Sequence, residues 1–284
     1  MFCFLRAVRC SGIIEGYETV WEGMKTMFDL TGRNALVTGA GGGLGSAIAG
    51  SLASQGASVA VTDILEEAAA VTADDLSSRF PDQRFEAIQL DVTDEANVRA
   101  AYEKAEAEVG NIDILVNVAG IATIVRFEEM TFAEWREMLG IHLDGTFLCT
   151  RYGLPGMLER GFGRVICISS IVSTTGVAYE THYGAAKGGI DGLVRSLSRE
   201  VASRGVTVNA IRPGYFDTPL SAMIPAEELR LLEECIAVGR FGRPEEVGAL
   251  SVYLASNEAE YMTGELISPN GGFSYGHADL DALS

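Results

Sequence analysis

Tyr183 and Lys187 stand four residues apart in Tyr183-Gly184-Ala185-Ala186-Lys187. On a helix that spacing places phenol and ammonium on one face. Moving a hydride to a ketone requires a proton donor, and oxidising an alcohol requires a base. A tyrosine with an ordinary pKa of about 10 is a weak base at neutral pH, and an adjacent cation lowers that value. Lys187 supplies such a cation, as would an oxidised nicotinamide. Taken alone, the pair also describes a surface tyrosine beside a solvated lysine. Thirteen residues earlier, Ser170 closes the apolar run Arg164-Val165-Ile166-Cys167-Ile168-Ser169-Ser170. In an open parallel sheet the C-terminal strand ends face the ligand crevice. A hydroxyl there can bind a substrate oxygen and stabilise charge as it develops, or it can simply cap a turn.

A second constellation lies near the start of the chain, in Thr38-Gly39-Ala40-Gly41-Gly42-Gly43-Leu44-Gly45. A predicted strand, Asn34–Thr38, precedes it and a predicted helix, Ser46–Gln55, follows. Glycines in that position allow the tight turn, let backbone N–H groups approach a pyrophosphate, and let helix pack on strand. The helix N-terminus then offers free donors and the positive end of its dipole. The next predicted strand ends at Asp63, 18 positions after Gly45. A carboxylate there can accept both ribose hydroxyls of NAD and repels the 2′-phosphate of NADP. Neither Gly42 nor Ile64 is basic, so NAD is the expected cofactor. An N-cap role for Asp63 is compatible with this.

The elements that must position these groups alternate strand and helix. Predicted strands are Asn34–Thr38, Ser58–Thr62, Phe85–Leu90, Ile112–Asn117, Arg164–Ser169, Val206–Ile211 and Glu265–Ser268. Amphipathic stretches include Glu95–Val109, Phe132–Glu159, Gly184–Ser203 and Pro244–Ser256. The strands are nearly continuous in apolar residues, as when helices cover both faces of a parallel sheet. The expected architecture is α/β, a single-domain Rossmann-like doubly wound parallel sheet with helices on both faces, over residues 27–284. Residues 1–26 read as a separate extension, either a disordered tail or a stretch preceding a true start at Met24 or Met27.

The formal charge is −18, with 39 acidic against 21 basic side chains. Such a surface repels nucleic acid and anionic membranes. The five cysteines are scattered, with neither a disulfide framework nor metal-ligand spacing, which predicts a cytoplasmic protein without a metal. No apolar run approaches the roughly 18 residues needed to span a bilayer.

From about Phe28 to Phe273 these motifs, in this order, resemble the short-chain dehydrogenase/reductase family. The resemblance implies that Gly39, Gly43, Leu44 and Gly45 form the dinucleotide turn and that Asp63 binds the adenosine ribose. Asp91-Val92 resembles the pair flanking the adenine. Asn117-Val118-Ala119-Gly120 is similar to the family's Asn-Asn-Ala-Gly segment, which supports the sheet and borders the cofactor. Ser170, Tyr183 and Lys187 match the catalytic serine, tyrosine and lysine, with Tyr183 and Lys187 also at the nicotinamide ribose. Pro213-Gly214 and Thr218 resemble the segment that holds the carboxamide. The resemblance further implies a homotetramer, paired through Phe132–Glu159, Gly184–Ser203 and Leu266–Phe273.

Three positions depart from the family pattern. Val118 replaces an asparagine and should alter a local hydrogen bond. Asn270 stands where an aspartate often precedes Gly271-Gly272, with little expected catalytic effect. His142 stands where the family has a catalytic asparagine that holds a water on the path from the lysine to solvent. A neutral imidazole can hold the same water, can titrate and make activity pH-dependent, or can be a core histidine without a kinetic role. His182 and His277 receive no role. Expected pocket walls are Ile121–Val125, Ile171–Tyr179, and the segment with Tyr215, Phe216, Leu220, Met223 and Ile224 ahead of a glutamate-rich helix. These favour a compact or cyclic hydrophobic alcohol as small-molecule substrate. The expected activity is NAD-dependent hydride transfer between nicotinamide and a secondary alcohol or ketone. The alternatives are an NADPH-type ketone or 3-oxoacyl reductase and a catalytically idle NAD-binding scaffold.

Overall fold

The computed structural model describes residues 27–219, 221, 224 and 226–273, so the extension at 1–26, Leu220, Met223 and His277 lie outside the described residues. Seven strands, β1 (Asn34–Val37), β2 (Ser58–Asp63), β3 (Phe85–Gln89), β4 (Ile114–Asn117), β5 (Gly163–Ile168), β6 (Val206–Ile211) and β7 (Leu266–Ile267), form one sheet. Its order is β3-β2-β1-β4-β5-β6-β7 and every pairing is parallel. The chain reverses its direction of growth between β1 and β4. Connections leaving these neighbours part there, opening a crevice at the carboxyl ends of the strands.

Alternation along the strands explains the two layers. Val37, Val59, Val61, Val116, Ile166 and Ile211 point to one face and pack with helices α1 (Gly43–Ser54), α2 (Glu66–Arg79) and the helix Pro244–Ala255. Leu36, Ala60, Leu115, Val165, Cys167 and Val208 point to the other. There they meet α3 (Glu95–Glu108), α5 (Gly145–Arg160) and α7 (Thr181–Val201). Both faces are covered, which is why these strands carry almost no polar alternation. Among the described residues no helix is long and apolar enough to cross a membrane.

Three boundaries differ from the sequence reading, and each moves a functional group. Helix α1 begins at Gly43, so the glycine turn itself supplies its first turn. Helix α7 begins at Thr181, which places Tyr183 in its first turn. The stretch Phe132–Glu159 is not one regular α-helix. It consists of α4 (Phe132–Leu139), a π-helical turn at Gly140–Asp144, and α5. A π-turn inserts one residue into the helical repeat and re-aims the side chains within it. The residue re-aimed here is His142, which is 2% exposed.

A buried ion pair fixes α7 to the end of β6. Arg212 donates to Asp191 Oδ2 from Nε at 3.1 Å and from Nη2 at 2.7 Å. Asp191 is one turn beyond Lys187, and Arg212 immediately precedes Pro213-Gly214. Helix α7 and the strand end beside it are therefore held in register by charge as well as by packing.

Candidate active site

The glycine turn has the strained and crowded geometry that its composition demands. Gly39 and Gly43 have φ of 63° and 54°, in the left-handed region that disfavours side chains. A Cβ at Gly45 would lie 2.1 Å from the Gly39 carbonyl oxygen, so the helix can approach the strand only through glycine. A Cβ at Gly43 would reach 4.0 Å from Thr218 and 3.9 Å from Pro219, which places the segment after β6 across the turn. Nothing on Gly42 caps α1. The first-turn N–H groups around Gly43, Leu44 and Gly45 are thus free to bind an anion.

Asp63 ends β2 with both carboxylate oxygens already engaged. Oδ2 accepts from Gly41 N at 3.0 Å and Oδ1 accepts from Leu65 N at 3.0 Å. Two backbone bonds leave further lone pairs, since a carboxylate has about four acceptor positions. The Leu65 bond leads the chain into α2, close to the capping role foreseen for this residue. The Gly41 bond fixes the acid to the phosphate-binding turn. Residues built in this way fit a dinucleotide.

Thr38 joins the turn to the segment after β4. Its Oγ1 accepts from Val118 N at 2.9 Å and Ala119 N at 3.0 Å. Val118 places its side chain against the core. Asn117 donates from Nδ2 to Thr150 Oγ1 at 3.1 Å, so its amide nitrogen is bound within the fold and serves the sheet. Asp91 Oδ1 accepts from Thr93 N and Oγ1, and Val92 is buried beneath Gly145. Pro213 O accepts from Ile171 N at 3.1 Å, joining the segment after β6 to the end of β5. Asn270 Oδ1 accepts from Gly272 N at 2.9 Å, while its Cα lies where a Cβ on Gly214 would clash.

Ser170, Tyr183 and Lys187 converge at the carboxyl end of β5. The Lys187 Nζ is 5.4 Å from the Tyr183 ring centroid and donates to Ile168 O at 2.7 Å. Ser170 Oγ accepts from Val172 N at 3.2 Å, at the start of the short helix α6 (Val172–Thr175). The sequence leads one to expect a lowered Tyr183 pKa. The opposite holds: burial pushes the phenol up to about 12, against a lowering effect of the Ser170 hydroxyl. Burial also brings Lys187 down to about 8, with Cys167 and Asp191 opposing. The reason is that a sequence shows the cation beside the phenol and not the desolvation around both.

His142 joins this group. Its ring meets the Tyr183 ring edge-on at 5.3 Å. Its Nε2 lies 3.1 Å from Ile121 N and 2.8 Å from Ile121 O, while Nδ1 is buried without a partner among the described residues. One nitrogen cannot accept from the N–H and donate to the carbonyl at once, so the tautomer decides which bond is made. Burial, followed by the Lys187 charge, pushes the ring down to about 3. Of the three readings open for His142, this burial favours a neutral imidazole over one that titrates.

One further arrangement was not legible in the motifs. Thr123 Oγ1 and His182 Nε2 are 2.9 Å apart, and Val125 N donates to Tyr179 O at 2.9 Å. The 121–125 wall is thereby fastened to the residues leading into α7. Replacing Thr123 with valine should cost about 1 kcal/mol of stability and raise KM several-fold with kcat little changed. Steady-state kinetics beside a urea melt tests this, and an unchanged KM would mean the wall is held by other contacts.

A phosphate-binding turn at the switch point of a doubly wound sheet serves a dinucleotide. A buried phenol and ammonium on the same edge serve proton transfer to an oxygen. Together they define a nicotinamide-dependent oxidoreductase. Residues 39–274 match the family profile described as enoyl-(acyl carrier protein) reductase. The chain is 38% identical over 243 residues to the 3-oxoacyl-(acyl-carrier-protein) reductase FabG of Aquifex aeolicus, covering 86% of this chain and 98% of that one. It is 39% identical over 245 residues to the cis-4-hydroxycyclohexanecarboxylate dehydrogenase of Sinomonas cyclohexanicum, covering 85% and 96%. A crystal structure from Agrobacterium tumefaciens, described as a gluconate dehydrogenase, superposes with a TM-score of 0.84 at 32% identity. That alignment covers 89% of this chain and all of that one. The chain belongs to the short-chain dehydrogenase/reductase family.

Proposed function

We propose that this oxidoreductase uses NAD to interconvert a secondary alcohol and its ketone, with Tyr183 as the proton-transferring group. A nicotinamide held by the glycine turn and Asp63 would supply the hydride-transfer chemistry. The chain's own residues hold the substrate oxygen and move its proton. Ser170 binds that oxygen, and Tyr183 gives or takes the proton. Lys187 holds the positive charge that favours a phenolate, and it serves the ribose together with Tyr183. Asp91-Val92, Asn117, Ala119-Gly120, Pro213-Gly214 and Thr218 line the cofactor crevice. His142 takes the asparagine's place. With Nε2–H donating to Ile121 O, Nδ1 is left as a bare acceptor in the field of the Lys187 ammonium.

The observation that carries the choice of NAD is Asp63, anchored to the turn through Gly41, with Ile64 and Leu65 beside it rather than a basic residue. A 2′-phosphate would face that carboxylate. Nicotinamide fluorescence titrated with NADH and NADPH, on wild type and Asp63→Ala, tests this. NADH should bind tightly to wild type and at least about tenfold more weakly to the variant, since one lost charge-assisted pair of hydrogen bonds removes about 1.5–3 kcal/mol. An NADPH preference in wild type would replace this reading with the ketone or 3-oxoacyl reductase, which the likeness to the Aquifex enzyme favours. Cofactor binding without turnover would point to the idle scaffold.

A homotetramer is part of the same proposal. Phe132 on α4 is 76% exposed and Phe147 on α5 is 51% exposed, apolar area that pairing would cover. Free thiols at Cys149, Cys167 and Cys235 suit a reducing, cytoplasmic setting.

A further inference from the structure

We infer that Asp191 is a positioning residue for the reaction: clamped by Arg212, its carboxylate holds the Lys187 side chain charged beside Tyr183. The inference rests on the reading of Lys187 as the cation of the alcohol–ketone site and adds the residue that sustains that charge.

Lys187 and Asp191 stand at i and i+4 on α7, and both belong to its buried face. That spacing makes them neighbours, with Cβ atoms about 5–6 Å apart. Each is 3% exposed. A closed circuit of hydrogen bonds also joins them through the strand ends. Lys187 Nζ donates to Ile168 O at 2.7 Å, and Ser169 Oγ donates to Lys187 O at 3.3 Å. Ser169 N in turn donates to Ile211 O at 2.7 Å, and the next residue, Arg212, closes the circuit on Asp191.

The grip of Arg212 leaves one carboxylate oxygen bare. Nε at 3.1 Å and Nη2 at 2.7 Å both donate to Oδ2. A guanidinium can instead serve both oxygens with two parallel bonds. Oδ1 is buried and has no hydrogen bond among the described residues. A pair built for stability alone gains from satisfying both oxygens, because a buried bare one is costly. A positive charge nearby offsets that cost, and Lys187 is the cation one turn back on the same face.

The other groups around the ammonium supply no negative charge. Strand β5 presents the Ile168 carbonyl and ends beside the Cys167 thiol, which burial pushes up to about 12. Helix α7 presents the Tyr183 ring, 5.4 Å from Nζ, whose phenol burial also pushes up to about 12. The π-helical turn presents His142, whose burial favours the neutral form. Arg212, from the end of β6, is itself positive. Glu180 lies two helical turns before Lys187. Asp191 is thus the anion of this cluster among the described residues. Burial works to neutralise Lys187, and the Asp191 charge works against it.

The chain has three lysines, Lys25, Lys104 and Lys187. Carbon-13 NMR of lysine-labelled protein can therefore follow Lys187 directly, with Lys187→Arg assigning its signal. The titration is read without turnover in wild type, Asp191→Asn, Asp191→Glu and Arg212→Met, beside the pH profile of ketone reduction. Urea melts and dinucleotide titration establish that each variant is folded. Asp191→Asn removes the negative charge, so the Lys187 midpoint and the alkaline limb of reduction should both move down by about 1 pH unit or more. Arg212→Met removes the opposing positive charge and leaves Asp191 to Lys187 alone, so both should move up. Asp191→Glu should stay near wild type. A pair with only a structural role predicts the same loss from either half, without displacements of opposite sign. A midpoint unmoved in Asp191→Asn, or moved the same way by both variants, would overturn the inference. Should Asp191→Asn not fold, Arg212→Met decides alone, and a midpoint that fails to rise overturns it. Opposed displacements in the NMR titration without turnover of any alcohol or ketone would uphold the action of Asp191 on Lys187 and overturn the alcohol–ketone reading instead.

Discussion

Tyr183→Phe is expected to retain dinucleotide binding and to lose turnover by about 10³-fold or more. The substitution removes one hydroxyl and leaves the ring, so the edge contact with His142 at 5.3 Å and the packing of α7 remain. What disappears is the one phenol that, among the described residues, lies beside both Ser170 and Lys187. Positioned proton transfer contributes typically 10²–10⁴-fold. Among the described residues the alternatives are poor: burial favours a neutral His142 with its Nε2 held at Ile121, and Lys187 already donates to Ile168 O. A stopped-flow assay in both directions measures the loss; wild-type rates in the variant would remove Tyr183 from the mechanism. The pH profile carries further information. Burial pushes the phenol up to about 12, so below that value it is protonated and ready to donate to a ketone. Lys187, brought down to about 8 by burial, is charged below that value and loses its proton above it. Reduction should therefore hold steady through neutral pH and fall as pH rises past about 8. A decline beginning near pH 6 would instead implicate a histidine.

The parts of this site that were legible in the sequence are those with local backbone demands. Gly39, Gly43 and Gly45 must be glycine because of dihedral angles and approaches set within a few residues, so the turn announces itself. Asp63 follows from the length of one helix and one strand. Tyr183 and Lys187 follow from helical spacing, and Ser170 from a strand end. The sheet was legible for the same reason: buried parallel strands are continuous apolar runs, and β6 was read with its observed bounds, Val206–Ile211. What escaped depends on packing across distant elements. The π-turn around His142 breaks no sequence rule, since Gly140–Asp144 is as compatible with an α-helix. The Thr123–His182 and Asp191–Arg212 contacts join residues far apart in sequence. The motif also cannot display the burial that raises the Tyr183 pKa.

The departure at His142 has a partner that makes it testable. A Cβ on Gly120 would lie 2.2 Å from His142 Cε1, 2.8 Å from Nδ1 and 3.2 Å from Nε2. The φ of Gly120 is not in the left-handed region, so its backbone accepts alanine and the ring alone forbids it. That ring has little freedom to move. Its Nε2 is held at Ile121, and its other side meets Tyr183 edge-on. Gly120→Ala must displace the imidazole toward the phenol or detach it from Ile121. Overpacking of this kind costs about 1–3 kcal/mol, and a 1 Å misplacement of a reacting group can lower activity by about 10²-fold. A loss of that order is therefore expected, with a lower melting temperature. His142→Ala made in the same chain removes the clashing ring. In Gly120→Ala/His142→Ala the alanine at 120 should then cost almost nothing beyond the effect of His142→Ala itself. The coupling energy of this cycle, read from both urea melts and kcat, separates the two explanations for a neutral histidine at this position. If stability recovers in the double variant while kcat stays low, His142 acts in proton movement as well as packing. If both recover together, the ring only fills that space and has no part in the reaction. Additive losses would mean that the space above Gly120 is filled by something other than His142, and the assignment of this pair would fail.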